Sequence, residues 1–174
     1  IPKLFSLSTS IPAFQKRFPD AKILYMVRDP LNILPSGLSL VTGVLDKRFG
    51  FWSLEKEVRD RYTNRLYNAL LELLQRFHED WTNGSIDKSK VLIVKYDRMM
   101  TQFEDLMDDI FTFTGATPTS EIIAEIKKTA ASQRQYTSAH KYDLEKFGLS
   151  AGQIRSDCSF IYDTFLNTQP NEAD

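Results

Sequence analysis

Apolar residues fall into two kinds of run along this chain. Two runs are short and continuous: Lys22-Ile23-Leu24-Tyr25-Met26-Val27, and Val91-Leu92-Ile93-Val94 bounded by Lys90 and Lys95. Stretches of that length, closed by turn signals, predict buried strands. The remaining runs are periodic. Ile11, Phe14 and Phe18 stand at helical spacing in a short piece closed by Pro19. Leu31 to about Val44 reads as a helix ending near Gly43, and Asp46 to Ser53, with Phe49, Phe51 and Trp52, reads as an aromatic loop. From Leu54 onward, Val58, Tyr62, Leu66, Leu70, Leu73, Phe77 and Trp81 follow in steps of three or four. That pattern predicts one amphipathic helix about 40 Å long, stopped by Asn83-Gly84.

After the second strand, Thr101 and Glu104 read as a capping box for a helix carrying Phe103, Leu106, Ile110 and Phe113, ended by Gly115. Thr117-Pro118 opens another helix with Ile122, Ile123 and Ile126; the polar stretch from Ala131 to Lys141 reads as a loop. A last helix carries Ile154, Cys158, Ile161 and Phe165, and the tail from Thr168 to Asp174 reads as frayed. Fully apolar strands separated by helices predict an α/β fold with a parallel sheet. Two strands are few for such a sheet, and the chain begins at Ile1 rather than methionine. Either the protein is mostly helical around a small sheet or further strands lie on the N-terminal side, and the second is the expectation.

Composition narrows the function classes. The chain has 174 residues, and its 22 basic and 23 acidic side chains are interspersed, giving a net charge of −1. No basic stripe favours nucleic acid, and no stretch is apolar enough to span a bilayer. The single cysteine, Cys158, excludes an internal disulfide and a cysteine-based zinc site, and its helical setting marks it as a small core residue.

The chemistry concentrates at the end of the first strand. Arg28 closes it, Asp29-Pro30 reads as an N-cap followed by proline at the first helical position, and Ser36 lies about two turns into the helix. A helix N-terminus offers backbone donors and partial positive charge, and arginine adds a planar fork suited to phosphate oxygens. The plainer reading is an ordinary Arg-Asp-Pro turn in which the arginine pairs with a nearby carboxylate.

The segment Ala21-Lys22-Ile23-Leu24-Tyr25-Met26-Val27-Arg28-Asp29-Pro30 with Ser36 resembles the 3′-phosphate-binding segment of sulfotransferases that use 3′-phosphoadenosine-5′-phosphosulfate (PAPS). Val91-Leu92-Ile93-Val94-Lys95-Tyr96-Asp97 resembles that family's strand ending in Tyr-Glu-Asp, and Phe113-Thr114-Gly115 its Phe-Leu-Gly. His140-Lys141-Tyr142-Asp143-Leu144-Glu145-Lys146-Phe147-Gly148-Leu149 is similar to a segment of bacterial-type members. The resemblance implies a partial P-loop-kinase-like, three-layer parallel sheet with many helices over residues 1–167, as the C-terminal portion of a sulfotransferase-like domain. It implies that Arg28 and Ser36 bind the 3′-phosphate and that Tyr96 contacts the adenine. It also implies that the loop with Arg134, Tyr136, His140, Lys141 and Tyr142 closes over the nucleotide, so Arg134, His140 and Tyr142 join the candidate cofactor-binding set. For Tyr96 the plain alternative is an aromatic closing a strand, and for each loop residue it is a solvated side chain.

The family's loop for the 5′-phosphosulfate, Pro-Lys-x-Gly-Thr-Thr, has no counterpart; Thr42-Gly43-Val44 lacks its lysine. No residue stands out as the catalytic base: His78 lies on the long helix, and His140 has no orienting carboxylate in sequence. The implied function is sulfuryl transfer from PAPS, with adenosine 3′,5′-bisphosphate as product and no metal. The acceptor would be a hydroxyl or amine on a small molecule or glycan, and the setting cytoplasmic. Two alternatives stand beside it, a P-loop small-molecule kinase using ATP with magnesium and a non-catalytic sulfotransferase-like interaction module.

Overall fold

The computed structural model describes residues 5–135 and 143–167. In chain order the elements are α1 (Ile11–Arg17), β1 (Ile23–Val27), α2 (Pro30–Phe49), α3 (Lys56–Thr82), β2 (Val91–Lys95), α4 (Tyr96–Thr101), α5 (Phe103–Thr114), α6 (Ser120–Gln135), α7 (Ala151–Asp157) and α8 (Ser159–Ile161). Short 3-10 turns precede α1, follow α2, precede β2 and precede α7, and a π turn spans Tyr162–Leu166. The chain is a mostly helical α/β protein with a small parallel sheet, and the α/β class with parallel strands is the one its apolar pattern predicts. Of the described residues, 5–14, 29–86 and 143–167 form one compact unit, and 15–28 and 87–135 form a second.

The second unit holds the sheet. β1 and β2 pair in parallel, in register from Ile23 opposite Val91 to Val27 opposite Lys95. Val27, Val91 and Val94 are buried there with Leu106 of α5 and Ala130 of α6. The Lys22 ammonium donates to the Phe113 carbonyl in the last turn of α5 and lies 5.4 Å from the centre of the Phe113 ring. A cation at a helix C-terminus meets carbonyls that lack helical donors, so this contact ties the start of β1 to α5.

The first unit is a helical cluster. Leu34 and Leu38 of α2, Tyr67 of α3, and Phe147, Leu149, Ile154 and Cys158 of the C-terminal segment form its core, with Trp52, Leu70 and Tyr162 packed against them. A second aromatic group joins Phe77 and Trp81 of α3 to Phe165 of the π turn, with ring centres 5.8–5.9 Å apart.

Four boundaries depart from the sequence expectation. α2 runs straight through Gly43 and stops at Gly50, whose φ of 64° supplies the left-handed cap. A glycine ends a helix where the backbone turns left-handed, not wherever it occurs. The expected aromatic loop is therefore the last turn of α2 followed by a 3-10 turn over Phe51–Ser53. Thr101 and Glu104 form no capping box: the Thr101 hydroxyl donates to the Asp97 carbonyl within α4, and Gln102, the N-cap of α5, makes no side-chain cap hydrogen bond. α6 continues to Gln135, through part of the stretch read as loop. The last helix is broken at Cys158 (φ −111°, ψ 17°) into α7 and α8, and then widens into the π turn.

Candidate functional site

In the second unit, both strands deliver a residue to the same edge. Arg28 follows Val27 and Tyr96 follows Lys95, the two partners in the last rung of the ladder. The Arg28 guanidinium lies over the Tyr96 ring, 4.0 Å from its centre. Stacking uses the face of the guanidinium and leaves its N–H groups pointing outward in the plane of the fork. Among the described residues no carboxylate pairs with Arg28. The result is a held cation at the carboxyl edge of a parallel sheet, where open α/β sheets bind their ligands.

The N-terminus of α2, in the first unit, differs in one respect from the sequence expectation. Asp29 is the N-cap and Pro30 the first helical residue, as predicted. Yet the donors of that turn are already used. Pro30 has no N–H, the Leu31 N–H donates to Asp29 Oδ1 at 2.8 Å, and the Asn32 and Ile33 N–H groups donate to the Asp29 carbonyl at 2.8 and 3.1 Å. An anion here would rest on side chains rather than on the free backbone amides expected of a helix start. Asp29 Oδ1 also accepts the Tyr162 hydroxyl at 2.5 Å, a contact 133 residues apart that no sequence signal announces. Burial first, and then this bond, push the Tyr162 phenol well above its ordinary value. Ser36 sits half-buried on α2.

Of the other candidates, only Arg134 lies among the described residues. Arg134, at the end of α6, pairs with Glu104 at 2.7 Å. His140 and Tyr142 lie outside the described residues, as do Tyr136 and Lys141. His78 Nε2 is 2.9 Å from the Thr164 hydroxyl, and its ring is 5.0 Å from Phe160, so it serves the aromatic packing of the first unit. Cys158 is fully buried, and desolvation pushes its thiol up to about 11, as expected of a core residue.

The first unit also carries a cleft of about 200 Å³ lined by Ser39, Thr42, Gly43, Trp52, Asp143, Lys146 and Phe147. The Lys146 ammonium sits 4.1 Å from the centre of the Trp52 ring. Among the described residues no helix is long and apolar enough to cross a membrane, and no group of three or more His, Cys, Asp or Glu is placed to hold a metal ion.

A small parallel sheet flanked by helices, with Arg28 stacked on Tyr96 at its carboxyl edge, defines a mostly helical α/β protein. The chain belongs to the sulfotransferase family: the model of that family matches residues 2–121, which is 120 of its 174 residues. Its members are transferases that move a sulfuryl group to an acceptor. Comparison with curated proteins and with solved structures gave no match.

Proposed function

We propose that this domain binds PAPS and takes part in transferring its sulfuryl group to a hydroxyl or amine on a small molecule or glycan. The observation that carries the reading is Arg28, fixed by its stacking on Tyr96 while no carboxylate among the described residues neutralises it. Its fork suits the paired oxygens of a phosphate. The chain's order of motifs assigns Arg28 and Ser36 to the 3′-phosphate, with Tyr96 beside the nucleotide.

Sulfuryl transfer resembles phosphoryl transfer: an in-line displacement in which charge spreads over equatorial oxygens and the leaving phosphate, so positioning and electrostatics dominate. PAPS supplies the activated sulfuryl group. Arg28 and Ser36 make no bond to it; they fix the far end of the donor, and Tyr96 fixes the guanidinium.

The test is equilibrium binding by calorimetry. Arg28→Ala is expected to weaken adenosine 3′,5′-bisphosphate by a factor of about 30 or more, the lower end of the cost of removing one partner from a hydrogen-bonded charge pair. AMP, which lacks the 3′-phosphate, should bind wild type and variant alike. Unchanged affinity for the bisphosphate refutes the assignment, and preference for ATP with magnesium would favour a kinase.

A further inference from the structure

The outer face of the α2–α3 hairpin lies wholly within the first unit and has no part in the reading above. A helix turns by about 100° per residue, which sorts its side chains into faces. On α2, Leu40, Val44, Lys47 and Arg48 share a sector of about 100°, turned away from the buried Leu34, Leu38 and Thr42. On α3, Val58, Arg61, Tyr62 and Arg65 share a sector of about the same width, turned away from the buried Thr63, Tyr67 and Phe77. The two helices pack together, with Gly37 close to Leu70 and the Phe51 ring against Tyr62, over the core that holds Leu34, Leu38 and Tyr67. Sectors turned away from one shared core face the same way, outward.

That face is apolar and basic at once. Leu40 is 70% exposed and Phe49, at the hairpin's turn, 74%; Val44, Leu54, Val58 and Tyr62 are exposed as well. Among the described residues Lys47, Arg48, Arg61 and Arg65 are exposed and form no ion pair. The helical acids of the same turns, Asp46, Glu57 and Asp60, fall outside both sectors. Asp46 accepts the Trp52 N–H at 3.0 Å, and Asp60 pairs with Lys56 at 2.5 Å. Only Glu55, the N-cap of α3, adjoins the face.

We propose that this face docks the protein on an anionic membrane surface, its apolar side chains entering the headgroup boundary and its four cations meeting the lipid anions. The proposal is independent of the nucleotide reading. Charge complementarity selects the occupant. Lysine and arginine stems lie along apolar surface while their charged heads reach out to headgroups, the composition of an interfacial helix rather than a spanning one. A two-fold contact with a second copy would instead set these four cations against the same four.

The experiment is cosedimentation of the whole chain with vesicles of phosphatidylcholine and phosphatidylserine, against phosphatidylcholine alone, with thermal unfolding of each variant in parallel. Wild type is expected on the mixed vesicles, and more weakly by about tenfold or more on the neutral ones. Raising the salt should release it. Lys47→Gln/Arg48→Gln should weaken binding to mixed vesicles about fivefold for each cation removed. Leu40→Ser/Phe49→Ser keeps every charge and should still weaken it by about tenfold or more. Lys127→Gln/Lys128→Gln removes two exposed cations of α6, in the second unit, and should change binding by less than about twofold. Should one pair fail to fold, the other decides. Failure to bind mixed vesicles overturns the proposal. So does an equal loss from the α6 pair, which would mark general charge attraction. A dimer in sedimentation velocity that Leu40→Ser/Phe49→Ser abolishes would assign the face to a second copy and overturn it too.

Discussion

Two glycines of α2 should respond in opposite ways to the same substitution. A methyl group built on Gly43 would meet nothing within 4 Å, whereas one on Gly37 would lie 2.9 Å from Leu70 Cδ1 and 3.3 Å from Cδ2. Neither glycine has a positive φ, so alanine fits both backbones. At Gly43 only helix propensity and unfolded-state entropy change, and Gly43→Ala should stabilise by about 0.5–1 kcal/mol. At Gly37 the same gain meets an overpacked contact, which costs about 1–3 kcal/mol. Gly37→Ala should therefore be less stable than Gly43→Ala by about 1–3 kcal/mol. Urea unfolding at neutral pH measures the difference, and calorimetric scans should separate the midpoints by several degrees, at about 2–4 °C per kcal/mol for a chain of this size. A Leu70→Val background removes both Cδ contacts and should bring Gly37→Ala towards Gly43→Ala. Equal effects at the two glycines in the wild-type background, or a difference that survives Leu70→Val, would refute the claim that Gly37 sets how closely α3 approaches α2.

Further expectations follow from the same physics. Cys158 is raised from 9 to about 11, so its contribution is complete below pH 9 and is lost as pH rises from 9 towards 11. The wild type should lose about 2 kcal/mol more than Cys158→Ala over that window in denaturant titrations; parallel pH profiles for the two would contradict it. Arg134→Ala breaks a half-exposed pair with Glu104 and should cost less than about 1 kcal/mol in urea unfolding. Lys22→Met removes the cation from the Phe113 carbonyl and should destabilise by about 0.5–1 kcal/mol, with a loss that shrinks at high salt. Salt-independent destabilisation would point to lost packing of the lysine stem instead.

The parts of the fold legible in the sequence are those governed by local pattern. Both strands, the 27-residue α3 and the Asp29-Pro30 helix start are encoded within a few residues of where they form. What was not legible depends on backbone conformation or distant partners. Gly43 and Gly50 are the same residue type, and only the left-handed φ at Gly50 makes it a terminator. Thr101 and Glu104 have capping-box spacing, but each is drawn elsewhere, to Asp97 and to Arg134. The break at Cys158 and the π turn interrupt a perfectly periodic set of apolar positions. At the candidate site, Arg28 and Tyr96 each stood out at the end of its own strand. Their stacking follows only from the register that sets Val27 opposite Lys95. Tyr162 carried no signal, because its partner lies 133 residues away.

That distribution bears on what kind of anion site the proposed function requires. A site built on a helix N-terminus needs free amides, and α2 has spent its first ones on Asp29. The site proposed is then a side-chain one, whose charge comes from Arg28 and whose rigidity comes from the Tyr96 ring beneath it. A guanidinium keeps its charge at every accessible pH, so phosphate binding should follow the ligand's own ionisation rather than a titration of the protein. It should also weaken steeply when arginine becomes lysine. Lysine preserves the charge but loses both the stacking face and the paired donors, and an arginine acting only as a diffuse positive charge would tolerate the exchange. Arg28→Lys therefore separates geometric recognition of a phosphate from general attraction to anions. Bisphosphate binding close to that of Arg28→Ala supports the former, and wild-type binding supports the latter.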